Sequence, residues 1–206
     1  MQNNTLSRPG FSLSGTALKR IACLSMLLDH IGASLLENGL FKQGSFWPGD
    51  VQLDGVLRLA GRLAFPIYCF LLVEGFVHTH NVKGYLGRLV LFGLLSEVPF
   101  DLAFFRTPFD PSAQNVYWTL ALGVLAMAGL KHYEKPDGSA SWKGLLCAAG
   151  CTLAALLACT DYNGIGVLII CALYLTRGDR KRQCIVGAVL FAWELTAPLA
   201  FVLVWF

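Results

Sequence analysis

The sequence predicts an all-α fold: a polytopic bundle of about seven transmembrane helices, built as one domain over residues 1–206. Three observations predict it. Hydrophobic residues make up 55% of the chain and charged ones only 14%, with a mean hydropathy of +0.58; a soluble domain of this length needs far less apolar surface. The apolar residues fall into runs of membrane-spanning length at about 17–36, 55–78, 85–105, 115–131, 142–160, 163–176 and 183–206. No Pro-, Gly- or Ser-rich linker and no internal repeat divides them.

The segment before the first run, MQNNTLSRPGFSLSGT, lacks the basic, apolar and small-residue succession of a removable leader, so it is expected to stay in the mature protein. The first run itself, LKRIACLSMLLDHIG, carries Lys19 and Arg20 at its start and Asp29-His30 deep inside. Charges at that depth are costly unless paired or facing a wet cavity, which makes them functional-site candidates. Lys19 and His30 are eleven residues apart. At 100° per residue both fall on one helix face, about 16 Å apart along the axis.

A connection over 37–54 follows, with Trp47-Pro48-Gly49-Asp50 as an expected interfacial segment. The second run opens with Arg58 and Arg62 at i and i+4 and closes on Glu74, placed to pair with a nearby base or line an entry path, and on His78 and His80, suited to cap carbonyls or meet an anion. Lys83 and Arg88 open the third run, and Glu97 and Asp101, again i and i+4, close it. Asn115 opens the fourth. Lys131, His132, Lys135 and Lys143 flank the connection to the fifth. The sixth is short and begins Asp161, Tyr162, Asn163-Gly164-Ile165-Gly166, so it is expected to be re-entrant, broken or preceded by an unwound turn. The seventh holds Glu194 and Pro198, which allow a kink.

Arg8, Lys19, Arg20, Lys83, Arg88, Lys131, Lys135, Lys143, Arg177, Arg180, Lys181 and Arg182 fall on one side of these spans; Lys42 and Arg106 fall on the other. The positive-inside rule then places the amino-terminus in the cytoplasm and the carboxy-terminus outside. The net charge of +3 lies in these connections and argues against nucleic-acid binding. The seven cysteines form no CxxC pair and read as buried structural thiols; no metal site is expected. Trp47, Tyr117, Trp118 and Trp142 read as interfacial anchors.

On this topology the polar residues converge in the outer half. Asp29 and His30, Arg58 and Arg62, Glu97 and Asp101, Asn115, and Asp161 with Asn163 come from five elements to one layer. Arg58 and Arg62 are placed to neutralise Glu97 and Asp101. Asp29 or Asp161 is placed to orient the imidazole of His30. The plain alternative is a charge-paired knot that only ties helices together.

The runs LKRIACLSMLLDHIGASL, RLAGRLAFPIYCFLLVEGFVHTHNVKGYLGRLVLFGLLSEVPFDLAF, NVYWTLALGVLAM and DYNGIGVLII resemble the TraX family, which includes a conjugative pilin acetylase. That family is distantly similar to the transmembrane acyltransferases of the acyltransferase-3 superfamily, whose first helix bears a basic residue and a His ten residues apart; Lys19-x10-His30 resembles that pattern. The resemblance implies an acyltransferase-3-like core in the bacterial cytoplasmic membrane. It implies transfer of an acetyl group from cytoplasmic acetyl-CoA to a hydroxyl or amine outside, on a pilin amino-terminus or a surface glycan. Lys19, Arg20 and Arg88 then meet the anionic nucleotide of the donor, and His30 is the general base or a transiently acylated nucleophile. Arg62 or Asn115 stabilises the oxyanion, Asp29, Glu97 or Asp101 holds these groups, and Arg58, Asn115, Asp161 and Asn163 face the acceptor. The implied partners are the acyl-CoA donor, the acceptor, membrane lipid and a second copy of the chain in a homodimer. A small transporter and a non-enzymatic partner in pilus or envelope assembly are the competing classes.

Overall fold

The computed structural model describes residues 13–37, 53–194 and 196–205. Arg8, Lys42 and the Trp47–Asp50 segment lie outside them. The described residues are helical throughout, apart from turns and one isolated β-bridge between Gln114 and Thr160.

Helix α1 (Gly15–His30) starts where the Ser14 hydroxyl oxygen accepts the Ala17 amide at 3.1 Å, and a wider π-helical segment, Ile31–Glu37, continues it. The second run is two helices in line, α2 (Leu53–Gly61) and α3 (Ala64–His78), separated at Arg62-Leu63. Glu74 and His78 meet at the end of α3, with the Nδ1 of His78 2.8 Å from the Glu74 carbonyl. Helices α4 (Val82–Phe104) and α5 (Val116–His132) begin on Asn81 and Asn115, whose side-chain oxygens accept amides of the first turn. Helices α6 (Trp142–Leu157) and α7 (Asn163–Leu175) follow.

The expected interruption before the sixth run is a left-handed turn. Cys159, Tyr162 and Asn163 all have positive φ, and the turn is pinned by Gln114, which donates its amide to the Cys159 carbonyl and accepts that of Asp161.

The last run departs from the sequence reading. It is expected to cross as one kinked helix, and instead forms a hairpin of α8 (Arg180–Leu190) and α9 (Ala200–Trp205), joined through residues 191–199 with a 3-10 turn at Ala197–Leu199. The two arms are antiparallel. Arg180 on the first turn of α8 donates to the carbonyl of Val204 near the end of α9, and Phe201 lies so close to Gly187 that an added Cβ would sit 2.1 Å from its ring. The chain therefore returns to the side of the bundle from which α8 began. Trp205 lies at the end of the bundle where α8 begins, whereas an odd number of crossings is expected to carry the last run to the opposite end. Its apolar composition is right; its direction is set by the Gly187–Phe201 contact, which hydropathy does not encode.

Leu53–His78, 26 residues long, is the one stretch among the described residues that is long and apolar enough to cross a membrane; Trp142–Leu157 and Asn163–Leu175 are apolar but shorter. Length therefore supports one of the seven expected spans.

The core lies where α5 packs on α6 and α7 and where α3 packs on α7 and α9. Phe65, Phe76, Val124, Met127 and Ile170 are fully buried there. Small residues bring the backbones together: a Cβ on Gly129 would lie 2.5 Å from that of Cys147. The opposite faces are apolar and exposed, with Leu91, Leu94 and Leu95 on α4, Leu145, Leu146, Leu153 and Leu157 on α6, Leu168 on α7 and Val189 on α8. Exposed apolar side chains grouped on several helices in this way mark a contact surface. Cys69, Cys171 and Cys184 are buried, while Cys23 and Cys159 are exposed, so the reading of all seven as buried thiols holds only in part.

Candidate functional site

The site begins where α1 crosses α2. Gly61 presents no side chain there, and a Cβ on it would fall 2.2 Å from the Cβ of Asp29. That close approach places Arg58 Nη1 3.8 Å from Asp29 Oδ1, and Asp29 Oδ2 3.8 Å from the Nδ1 of His30.

The imidazole is the last α-helical residue before the π segment, a kind of junction enriched at functional sites. Its Nδ1 lies 2.9 Å from the carbonyl oxygen of Met26. A carbonyl only accepts, so this bond requires the proton on Nδ1 and leaves the lone pair of the neutral ring on Nε2. The edge of the ring packs on Phe104 at 5.4 Å between centroids. His30 thus has a fixed tautomer, a carboxylate beside it and 44% of its side chain open to solvent, which is what a proton acceptor requires.

Two further carboxylates face this pair. Asp161, in the turn before α7, feels the charges of His30, Asp29 and Glu194. It keeps solvent contact at the rim although protein surrounds most of it. That desolvation, helped by the charges of Asp29 and Glu194 and opposed by a hydrogen bond from the Tyr162 amide and by His30, pushes its carboxyl up to about 6. Next to it Tyr162 stacks on Phe65 at 3.6 Å.

Glu194 comes from the tip of the α8–α9 hairpin, anchored there by Thr196, whose hydroxyl donates to the Leu59 carbonyl at 2.6 Å. It is 7% exposed, its Oε2 has no hydrogen-bond partner, and it lies within electrostatic range of Arg62 and Asp29. Sequence reading takes Glu194 only as part of a kinked span. The signal it offered was a lone carboxylate in an apolar run.

The other predicted polar residues separate from this group. Glu97 Oε2 accepts the Asn115 side-chain amide and, at 2.9 Å, the Trp118 indole N–H. The same Asn115 nitrogen also donates to the Gly93 carbonyl at 2.9 Å. Asp101 is wholly buried and accepts the amide of Asp110 at 2.8 Å. The expected pairing of Arg58 and Arg62 with Glu97 and Asp101 therefore does not form among the described residues: Arg58 meets Asp29, and neutral N–H donors serve the α4 carboxylates. Asn115, expected to face an oxyanion or the acceptor, has both amide protons engaged and its oxygen capping α5. It is 3% exposed and has no donor to spare. Asn163 is exposed and shapes the left-handed entry to α7 through its backbone.

A cavity of about 460 Å³ lies between α1, α3, α4 and α5. Lys19, Arg88 and Thr79 stand at one end; Cys23, Tyr68, Leu72 and Leu120 line the middle, and Met26 and Val116 the other end. Of the three predicted donor-binding cations, Lys19 and Arg88 share this cavity, and Arg20, exposed on α1, does not line it. Lys19, Cys23, Met26 and His30 form one stripe of α1, so the cavity runs along the predicted face and stops one turn short of the imidazole. Sequence reading missed the pair in its wall, where Cys23 Sγ and Tyr68 Oη are 3.0 Å apart.

The family model described as TraX protein matches residues 14–204. A probable fimbrial assembly protein FimC, serogroup H1, of Dichelobacter nodosus is 37% identical over 127 residues, covering 55% of this chain. The match spans 45% of that relative's own length. No solved structure matches.

Proposed function

The chain belongs to the TraX family, and from that premise we propose that it is an integral membrane acyltransferase acting in pilus or fimbrial assembly. It takes an acetyl group from cytoplasmic acetyl-CoA and delivers it to a hydroxyl or amine on an acceptor at the outer side, a pilin amino-terminus or a surface glycan. The apolar exterior of α4, α6, α7 and α8 supports the membrane setting. The relative's name as a fimbrial assembly protein supports the biological one.

The observation that carries the reading is the cavity along the Lys19–His30 face. Its cationic end suits the phosphates of a nucleotide donor, and its apolar walls suit an extended pantetheine arm. Lys19 and Arg88 hold the phosphates, and the thioester approaches His30 past Met26. The Nε2 lone pair of His30 takes the proton of the acceptor as its oxygen or nitrogen attacks the thioester carbonyl. The C–S bond then breaks, and the thiolate of CoA leaves. Asp29 holds the imidazolium that forms, and Arg62 stabilises the oxyanion.

Labelled acetyl-CoA supplied to membranes carrying the protein tests this. Label should pass to a membrane or surface acceptor and stop doing so in His30→Gln; transfer that survives the substitution would remove His30 from the role of base. The relative's name also favours a second reading, a non-enzymatic assembly partner. Acetyl-CoA should raise the melting temperature of the purified acyltransferase, as any ligand of the folded state does. A scaffold would not respond.

A further inference from the structure

A second apolar cavity, sharing no lining residue with that donor path, lies between the two arms of the terminal hairpin. It encloses about 450 Å³ and is lined by Cys184, Ile185 and Ala188 of α8 and by Pro198, Phe201, Val202 and Trp205 at the α9 side, with Lys181 at one end. Nothing in the acyl-transfer reading uses it. We propose that this groove binds an anionic glycerophospholipid, with an acyl chain between α8 and α9 and the headgroup phosphate at Lys181. The proposal rests on the membrane setting given above.

Charge and length both select this occupant. Lys181 is exposed and enters no ion pair among the described residues. Its neighbours are committed: Arg182 pairs with Asp179 at 3.4 Å, and Arg180 donates to the Val204 carbonyl with its guanidinium over Phe70. One cation therefore faces outward at the end of an otherwise apolar slot. Helix α8 has 11 residues, a rise of about 16 Å, close to half of a hydrocarbon core of about 30 Å. The hairpin enters from the basic side and turns back at mid-depth, so its groove matches the chain region of one leaflet. Trp205, exposed, lines the groove at the α9 side, and a Trp at that level suits the membrane–water interface. A second copy of this chain would place apolar side chains in the slot and leave Lys181 without an anion.

The test is native mass spectrometry of the full chain, purified in neutral detergent and supplied with dioleoyl-phosphatidylglycerol or dioleoyl-phosphatidylcholine. The native protein should keep the anionic lipid about fivefold better, the ratio one lysine near a lipid surface provides. Lys181→Gln, a surface substitution, should remove that preference. Ala188→Trp should fill the slot and lose both adducts. Equal retention of the two lipids by the native protein would overturn the proposal, as would unchanged adducts in Ala188→Trp. A shift from dimer to monomer in Ala188→Trp with lipid retention intact would reassign the groove to self-association. Alkaline carbonate extraction separates this from the underlying reading: a protein released from membranes fails as a membrane enzyme, whereas a retained protein without lipid preference fails only here.

Discussion

The Asp29–His30–Glu194 cluster and the Glu97–Asn115–Trp118 cluster both hold carboxylates set in apolar runs, yet they are different objects. In the first, the partners of the carboxylates are arginines and an imidazole with solvent access: 44% of the His30 side chain and 39% of that of Arg58 are open. In the second the partners are neutral N–H donors of an amide and an indole, and Asn115 is 3% exposed. Glu97, half-buried and held by neutral donors through one oxygen, ties α4 to α5 and shares no base or cation with a substrate. A carboxylate beside a base and two cations can bind, orient and exchange protons. Donor type, more than burial or the presence of charge, separates the latch from the site: Glu194 is the more buried of the two carboxylates.

Substitutions in the two clusters should therefore fail in opposite ways. The largest effect is expected from His30→Gln, which should lower acetyl transfer by about 10²–10⁴-fold and leave the melting temperature of the purified protein unchanged; a parallel loss of stability would make the imidazole part of the scaffold. Asn115→Ala should do the reverse. It uncaps α5 and strips a donor from Glu97 and from the Gly93 carbonyl, at a cost of roughly 2–4 kcal/mol, read by thermal unfolding, with donor binding by the remaining folded protein intact.

Glu194→Gln is the sharper comparison, since it neutralises a buried carboxylate that lacks a partner for one oxygen. Stability should hold or rise, because the desolvated charge is gone, while transfer should drop about tenfold, the 1.4 kcal/mol scale of one lost charge contact. Unfolding of this variant would move Glu194 to the latch class. The smallest effect is that of pH on Asp161. Its carboxyl titrates near 6 in the folded chain and near 3.9 in an unfolded one. The folded state thus holds a proton that the unfolded state has already lost, and stability should fall as pH rises from about 4 to about 6. Asp161→Asn should flatten that slope in melting-temperature measurements across the same range.

Much of the donor side was legible in the chain itself. Lys19, Cys23, Met26 and His30 recur at helical spacing, so a straight α1 had to put them on one face, and the cavity follows that stripe. The turn before α7 was legible only in part: Asn163 favours positive φ, but Cys159 and Tyr162 adopt it as well, which their residue types do not announce. The carboxylate pairing was not legible. Arg58 and Arg62 share a face of one element, and so do Glu97 and Asp101, but which faces meet depends on close packing between distant segments. Gly61 against Asp29 brings Arg58 to α1, and Gly93 under Trp118 brings Asn115 to Glu97.

The sequence by itself determined the all-helical character, the apolar exterior, the basic edge and the identity of the one imidazole placed deep in α1, because these follow from composition and from periodicity within single segments. Only the tertiary structure decided that the last apolar run doubles back, that Glu194 rides its tip to the His30 cluster, and that Glu97 and Asn115 belong to a latch. The physical reason is the range of the contacts. Helical periodicity is fixed by neighbours three and four residues away, whereas the direction of α9 is decided by Phe201 meeting Gly187 and by Thr196 reaching the Leu59 carbonyl across 137 residues of chain.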